Sequence, residues 1–507
     1  MRPDLRFLAL LPFALAACGT FVESPTGPGG GNGGGATPPK AIPFRLGSTQ
    51  LEEGRGIAYV GDGVVMASWF TGRLDFDQGE GVTARTSFGS QDIGVAKYDL
   101  NGRFQWVAQI GGSGADVVHA IAATPDGGVV VTGYGSGGGQ CGNVLAGPGG
   151  RDALLAKIGP NGTCQWGILF GGGGDDEARA VAVDADGSIV VAGFFRGTAD
   201  FDPTGGAAVL VARGGTDAFV ARYTTDGGFV NVAQGGGPED DLFAALAIGA
   251  NNEVTAVGEL RGTATFGSTL APVILQSVGG ADIAVARYTA LGGLRWAFRA
   301  GGPSEDRATA ITEDPNGDLL VAGTFEGVAD LDPGPGSSLV VSQGAADIFL
   351  ALYEPLGGEW DGLTRAFGGL GTEGVTGLTR HISGRILMTG FFQQTVDFDP
   401  GAGARLVTAR GTGGAGDLFV YAFSSAGNFA WVVPAGGVVG GEGLQSIAYG
   451  LATDDLATVW AVGRFFGRAD FDASESATEL TAVAGSDAWL ARWTVDNGTI
   501  VVTELPD

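Results

Sequence analysis

Histidine is nearly absent from this sequence: His119 and His381 are the two in 507 residues, and they fall in different repeats. A Ser-His-Asp triad or a histidine-ligated metal centre has little to build on, and each histidine reads as a surface or turn residue. Cysteine is almost as scarce, at three, and charged residues make up only 16%. Stretches with helical periodicity are nearly missing, which excludes helical repeat arrays. The glycine-rich runs do not precede helices, so they are not phosphate-cradling loops, and no DxDxDG loop of the EF-hand kind occurs. Basic residues are short as well, 28 against 55 acidic ones, for a net charge of −27. Such a field repels DNA, RNA and anionic lipid faces, and it argues against nucleic acid as a partner.

Glycine is what the chain has in plenty, 95 residues, beside 44% hydrophobic ones. That pairing excludes general disorder and points to many tight turns between short apolar segments. Large all-β folds often exceed the usual domain size, so this length does not force several domains.

The chain opens MRPDLRFLALLPFALAACGT. Arg2 and Arg6 form a short basic region, and the apolar run from Phe7 to Ala17 is too short to span a bilayer as a helix. The run ends in LAAC, which resembles the lipobox of bacterial lipoproteins. The resemblance implies a signal peptide over residues 1–17 and Cys18 as the first mature residue, carrying palmitate and anchoring the protein to membrane. Gly19 follows instead of aspartate, which by the same resemblance implies the outer membrane. Residues 18–41 hold the lipidated cysteine and a flexible Gly/Pro tether, with almost nothing to bury. Cys141 and Cys164 remain, 23 positions apart inside one repeat. In an oxidising compartment their expected state is a disulfide, contributing roughly 3 kcal/mol; a two-thiol metal site would lack local histidines.

One anchor recurs seven times: QDIGVAKY (91–98), RDALLAKI (151–158), TDAFVARY (216–223), ADIAVARY (281–288), ADIFLALY (346–353), GDLFVYAF (416–423) and SDAWLARW (486–493). The spacings between its aspartates are 60, 65, 65, 65, 70 and 70. Each unit also carries a short apolar run, a tight turn such as DADGS, and a Val- and aromatic-rich run such as SIVVAGFF (188–195). A last strand follows the anchor, with Trp106, Trp166, Trp296 or Trp431 five residues before a Gly-Gly pair, and Asn231 or Leu363 in that place in two units. These tryptophans read as packing between units. Four short antiparallel strands per repeat predict an all-β, seven-bladed β-propeller over residues 42–507. Its blades cover about 51–112, 113–172, 173–237, 238–302, 303–369, 370–437 and 438–507. Two segments compete for an extra outer strand, IPFRLGST (42–49) and GTIVVTEL (498–505).

The pattern resembles the SBBP-type β-propeller repeats of secreted and lipid-anchored bacterial proteins. DAFVARY, the VVVAG-F strand, the TADFDP run and the Trp-to-GG strand carry that resemblance, over nearly the whole chain. It implies a fold and says little about activity.

Five units contain two acids around one large apolar residue: RLDFDQ (73–78), TADFDP (198–203), VADLDP (328–333), TVDFDP (395–400) and RADFDA (468–473). Unit two has GSGGGQCGNV (135–144) there, where Cys141 is expected to pin the loop, and unit four has TATFGS (263–268). Strand alternation buries the apolar residue and turns both carboxylates the other way. Seventeen residues separate Asp75 from Asp92, Asp200 from Asp217, Asp330 from Asp347 and Asp470 from Asp487; Asp397 and Asp417 are twenty apart. One reading makes each group a Ca²⁺ site, with Asp77, Asp202, Asp332, Asp399 and Asp472 as further ligands. The other makes the aspartates caps for loop amides. The anchor aspartate persists in units lacking the DFD pair, which favours capping.

Propeller connectivity sets the DFD runs and the acidic fourth-to-first connections, such as GGGGDDE (171–177), at one end of the ring. The expectation is a strongly negative face, used by an envelope binding or scaffolding module to meet a protein, polysaccharide or cations. The alternatives are a hydrolase or lyase with acids at the channel mouth, and a periplasmic assembly factor of the outer membrane. Acids repeated in every blade argue for construction over catalysis.

Overall fold

The computed structural model describes residues 42–79, 81–381, 383–411, 416–437, 446–454, 458–471 and 479–494. The signal peptide, Cys18, the tether, Asp472 and the 498–505 segment lie outside the described residues. Among those described, the fold is all-β, with one 3-10 turn at Ala250–Asn252 and no helix long and apolar enough to cross a membrane.

Each repeat forms four antiparallel strands. In unit three these are Glu177–Val183, Ile189–Asp200, Val209–Tyr223 and Phe229–Gly236. The middle two strands are β-branched and aromatic on both faces, and both faces are covered: all seven residues of Asp152–Ile158 in unit two are buried. Turns close on glycine, as where Gly187 N donates to Asp184 O at 2.9 Å.

Between the second and third strands a hairpin arm leaves the unit, bends at a three-residue register slip such as Arg196/Thr198, and folds back. Its tip pairs antiparallel with the end of the preceding unit's fourth strand, Gly171 with Asp200 and Gly172 with Ala199. The same pairing joins Gly436 with Asp470, and single bridges join Gly111 with Gln140 and Gly301 with Asp330. Hydrogen bonds therefore run from unit to unit, yet every sheet stays open at its ends.

The first strands pack side by side in chain order, from Glu52–Tyr59 through Val117–Ala123 to Ile447–Thr453 in unit seven. Ile447–Thr453 then packs against Glu52–Tyr59. The N-terminal strand Ile42–Leu46 pairs antiparallel with the third strand of unit seven, Phe44 opposite Leu490, and so supplies its outer strand. The buried apolar clusters lie between neighbouring units; one joins Leu155 and Phe170 of unit two with Phe195, Phe201 and Phe219 of unit three. Burial of this kind contributes about 25 cal/mol per Å² of apolar surface.

The tryptophans pack across the same junctions. Trp106 Nε1 donates to Pro160 O at 2.9 Å, Trp166 Nε1 to Thr225 O at 3.2 Å and Trp296 Nε1 to Pro355 O at 3.1 Å, each in the next unit's turn. Asn231 Nδ2 replaces the indole with a bond to Ala290 O at 3.1 Å.

Candidate functional site

The DFD aspartates cap their own loops. Asp200 Oδ1 accepts from the amides of Asp202 at 3.0 Å and Ala208 at 2.9 Å. Asp75 does the same for Asp77 and Thr83, Asp330 for Asp332 and Ser338, and Asp397 for Asp399 and Arg405. The second acid caps the next step, as where Asp202 Oδ1 takes the Thr204 amide at 3.0 Å and Asp77, Asp332 and Asp399 take those of Gly79, Gly334 and Gly401. Asp470 pairs with Arg410 at 2.8 Å. The residue between the acids is buried as alternation requires: Phe76, Phe201, Leu331, Phe398 and Phe471 are at most 1% exposed.

The anchor aspartates are elsewhere. Asp217 pairs across the strands with Phe195, and its carboxylate takes the Arg213 amide at 3.0 Å and Gln234 Nε2 at 2.7 Å. Asp92, Asp347, Asp417 and Asp487 likewise bind the amides of Phe88, Gln343, Arg410 and Val483. The seventeen-residue interval thus measures the length of the folded arm and does not gather a ligand set. Among the described residues no three His, Cys, Asp or Glu side chains gather into a group able to hold a metal ion. The described carboxylates are spent on loop amides or, at Asp470, on Arg410, and Asp472 lies outside the described residues.

Six of the seven anchor acids have a partner that spacing within one unit does not reveal. The acid opening the next unit's first strand packs beside it: Asp116 with Asp92, Asp176 with Asp152, Asp241 with Asp217, Asp306 with Asp282 and Glu373 with Asp347. Glu52 at the start of the chain faces Asp487 near its end. All of these are buried, and burial first, then the neighbouring carboxylate, pushes Asp116, Asp241 and Glu373 up to about 7. The Gly-Gly pair follows from this packing, since a Cβ on Gly236 would sit 2.5 Å from the Asp217 carboxyl carbon.

The expected electronegative rim therefore changes on two counts. The DFD arms fold back along the flank between units, and the opening acids are sealed inside the junctions. Solvent-accessible acids such as Asp175, Glu239 and Asp240 remain there, and Arg151 meets Asp175 at 2.8 Å.

A further cluster of side chains lies along the seven first strands. Every first strand slips register by one residue near its start, and the extra residue is Arg55, His119, Arg179 and Ala244 in units one to four. In units five to seven it is Thr309, Thr376 and Tyr449. β-Bulges re-aim side chains, and all seven of these line one cavity of about 240 Å³. Arg55 Nε lies 2.9 Å from buried Glu53, and Arg179 Nη2 lies 2.8 Å from buried Glu177. Glu177 also holds Arg151 at 2.9 Å and His119 Nε2 at 3.2 Å. Arg55 stacks over Tyr449 at 4.3 Å from its centroid. Burial, with Arg179 and Arg55 nearby, holds His119 below the usual imidazole range despite Glu177. His119 is thus a cavity residue, contrary to the surface reading, while His381 sits in a turn with Nδ1 2.7 Å from Ser383 Oγ.

Cys141 and Cys164 form a disulfide with a Cα separation of 5.2 Å. Because Gln140 bridges Gly111 as Asp200 pairs with Gly171, Cys141 occupies the place of the DFD phenylalanine.

No family model matches the chain, and no curated protein matches it. Three solved structures illustrate what it is similar to in shape. Sqt1 from Chaetomium thermophilum is 10% identical over 75% of this chain and 83% of its own, with a TM-score of 0.27. A rhamnogalacturonan lyase from Bacillus licheniformis is 14% identical over 76% of each, at 0.23. The extracellular domain of a putative one component system from B. thetaiotaomicron is 9% identical over 89% of this chain and 71% of its own, at 0.18. At these scores the likenesses carry no argument about this chain.

Proposed function

We propose that the chain is a seven-bladed β-propeller, tethered to the outer membrane through lipid on Cys18, and that it serves there as a binding module for a protein or polysaccharide. The observation that carries the reading is the axial cavity, to which all seven units contribute their bulged residue, with units one and seven in contact. The units repeat where they build and differ where they meet the axis. A concave place lined by a different side chain from nearly every unit is the mark of a grafted site on a regular scaffold. The LAAC sequence at residues 15–18 supports the anchor.

An enzyme using acids at the mouth has less support. Burial would raise the Glu177 carboxyl, but the His119 hydrogen bond and the Arg179 and Arg151 charges outweigh it and hold it below its ordinary value, unsuited to a general acid. Palmitate labelling and membrane fractionation of the full chain, against Cys18→Ala, test the anchor. Capture of envelope proteins and glycans by the detergent-solubilised chain tests the module. Retained labelling in Cys18→Ala, or no bound partner in either pool, would overturn the respective half.

A further inference from the structure

The axial cavity is electrically out of character for a chain of net charge −27. On the side formed by units one, two, three and seven, four guanidiniums, Arg55, Arg151, Arg179 and Arg464, share two buried carboxylates. Glu53 is bound by Arg55 and Arg464, and Glu177 by Arg179 and Arg151, while Asp175 meets Arg151 at the surface. Positive charge is left over, and Arg55 and Arg179 keep 26% and 40% of their side chains accessible. Guanidiniums are suited to planar oxyanions because their paired N–H groups match a carboxylate in geometry.

The opposite wall adds a second requirement. Thr309 Oγ1 already donates to Val375 O at 2.7 Å, and Thr376 Oγ1 donates to Ala448 O. Their protons are committed, so both oxygens can only accept from what enters the cavity. A ligand that satisfies both walls carries an anionic group at one end and hydroxyl donors at the other. The Tyr449 ring, held by Arg55, offers a face for the ligand body. A volume of about 240 Å³ admits one sugar-sized unit.

We propose that the axial cavity binds a hydroxylated organic acid of monosaccharide size, with its carboxylate on Arg55 and Arg179 and its hydroxyls toward Thr309 and Thr376. The assignment rests on the binding-module reading and names the ligand class of its site. As a free acid or as the acidic residue of a polysaccharide, the recognised chemistry is the same.

Calorimetric titration of the full-length protein in detergent with galacturonate, glucose and inorganic phosphate tests it. Galacturonate binds, and glucose and phosphate bind more weakly by about tenfold or more. Arg55→Gln with Arg179→Gln weakens galacturonate by a similar factor; Glu53 keeps Arg464 and Glu177 keeps Arg151, so no buried carboxylate is stranded. Ala244→Phe, which touches no ion pair, blocks the cavity and abolishes binding even should the double variant fail to fold. Absence of galacturonate binding, equal binding of glucose or phosphate, or full binding by Ala244→Phe would overturn the assignment. Should galacturonate fail while the full chain still captures an envelope partner, the ligand class falls and the binding module stands.

Discussion

The Tyr223 hydroxyl donates to the carbonyl of Phe201 at 3.0 Å, tying the far end of the anchor strand to the middle of the DFD arm. Tyr98 with Phe76, Tyr353 with Leu331 and Tyr421 with Phe398 repeat the bond at 2.9 Å. Unit four keeps the tyrosine but lacks the DFD pair, and the buried Tyr288 hydroxyl has no partner among the described residues. Tyr223→Phe should therefore cost about 1 kcal/mol, while Tyr288→Phe is neutral or stabilising. Denaturant titrations of the two variants give the comparison; equal losses would refute the role of the bond.

Capping and cation binding by the arm part company at Asp200. Asparagine keeps the Oδ1 acceptor for the Asp202 and Ala208 amides and loses the charge. Asp200→Asn should leave stability nearly unchanged and Asp200→Ala should lose about 1 kcal/mol. Melting in calcium and in chelator should coincide for the wild-type chain. A calcium-dependent rise that Asp200→Asn removes would restore the metal reading.

The buried acid pairs give stability a pH dependence of definite sign. Burial raises Glu52, Asp116, Asp152, Asp241 and Glu373 to about 7, and Asp176, Asp306, Asp417 and Asp487 to about 6. Unfolded carboxyls titrate near 4, so between about pH 4 and 7 the folded chain holds protons that the unfolded chain has released. Stability is full below that window and falls as pH rises through 6 to 7. Melting temperatures should decline from pH 5 to pH 8, and Asp116→Asn should flatten the decline. A rise over the same range would contradict the burial of these acids.

The sequence carried the repeat length, the strand count and the buried alternation around Phe201 because these recur in register. The site at the first-strand bulges was hidden for the opposite reason. Arg55, His119, Ala244 and Tyr449 share a position and no chemical type, and a register slip inside a short strand leaves no periodic trace. The carboxyl pairs were missed because counting within a unit joined Asp200 to Asp217, whereas packing between units joins Asp217 to Asp241. The folded-back arm was equally silent: DFD marks the loop and not the direction in which it leaves.

Unit two shows one tie exchanged for another. Ile158 stands where units one, three, four and five have the tyrosine, and Cys141 stands where unit three has Phe201, so the Cys141–Cys164 bond replaces the hydroxyl-to-carbonyl link. Closing that 23-residue separation should contribute roughly 3 kcal/mol. Cys141 is 2% exposed, so reductant should act slowly on the folded protein and lower its melting temperature once the bond opens. Cys141→Ser should melt early with or without reductant; a reductant-independent wild type would show that the bond contributes nothing.

The bend of each arm needs a left-handed residue, and glycine supplies it at Gly72 (φ 67°), Gly197 (φ 71°), Gly327 (φ 64°) and Gly467 (φ 59°). In unit six the same place is held by Gln394, at φ 56°. A side chain there costs about 1–2 kcal/mol of backbone strain, against the roughly 0.5–1 kcal/mol of chain entropy that glycine adds to the unfolded state. The strain is the larger, so Gln394→Gly should stabilise the protein by about 0.5–1 kcal/mol. The converse change, Gly197→Gln, should destabilise by a similar amount, because nothing lies within 4 Å of a Cβ there and only the dihedral penalty acts. Paired denaturant titrations measure both. A destabilised Gln394→Gly would mean that its side chain makes contacts worth more than the strain it imposes.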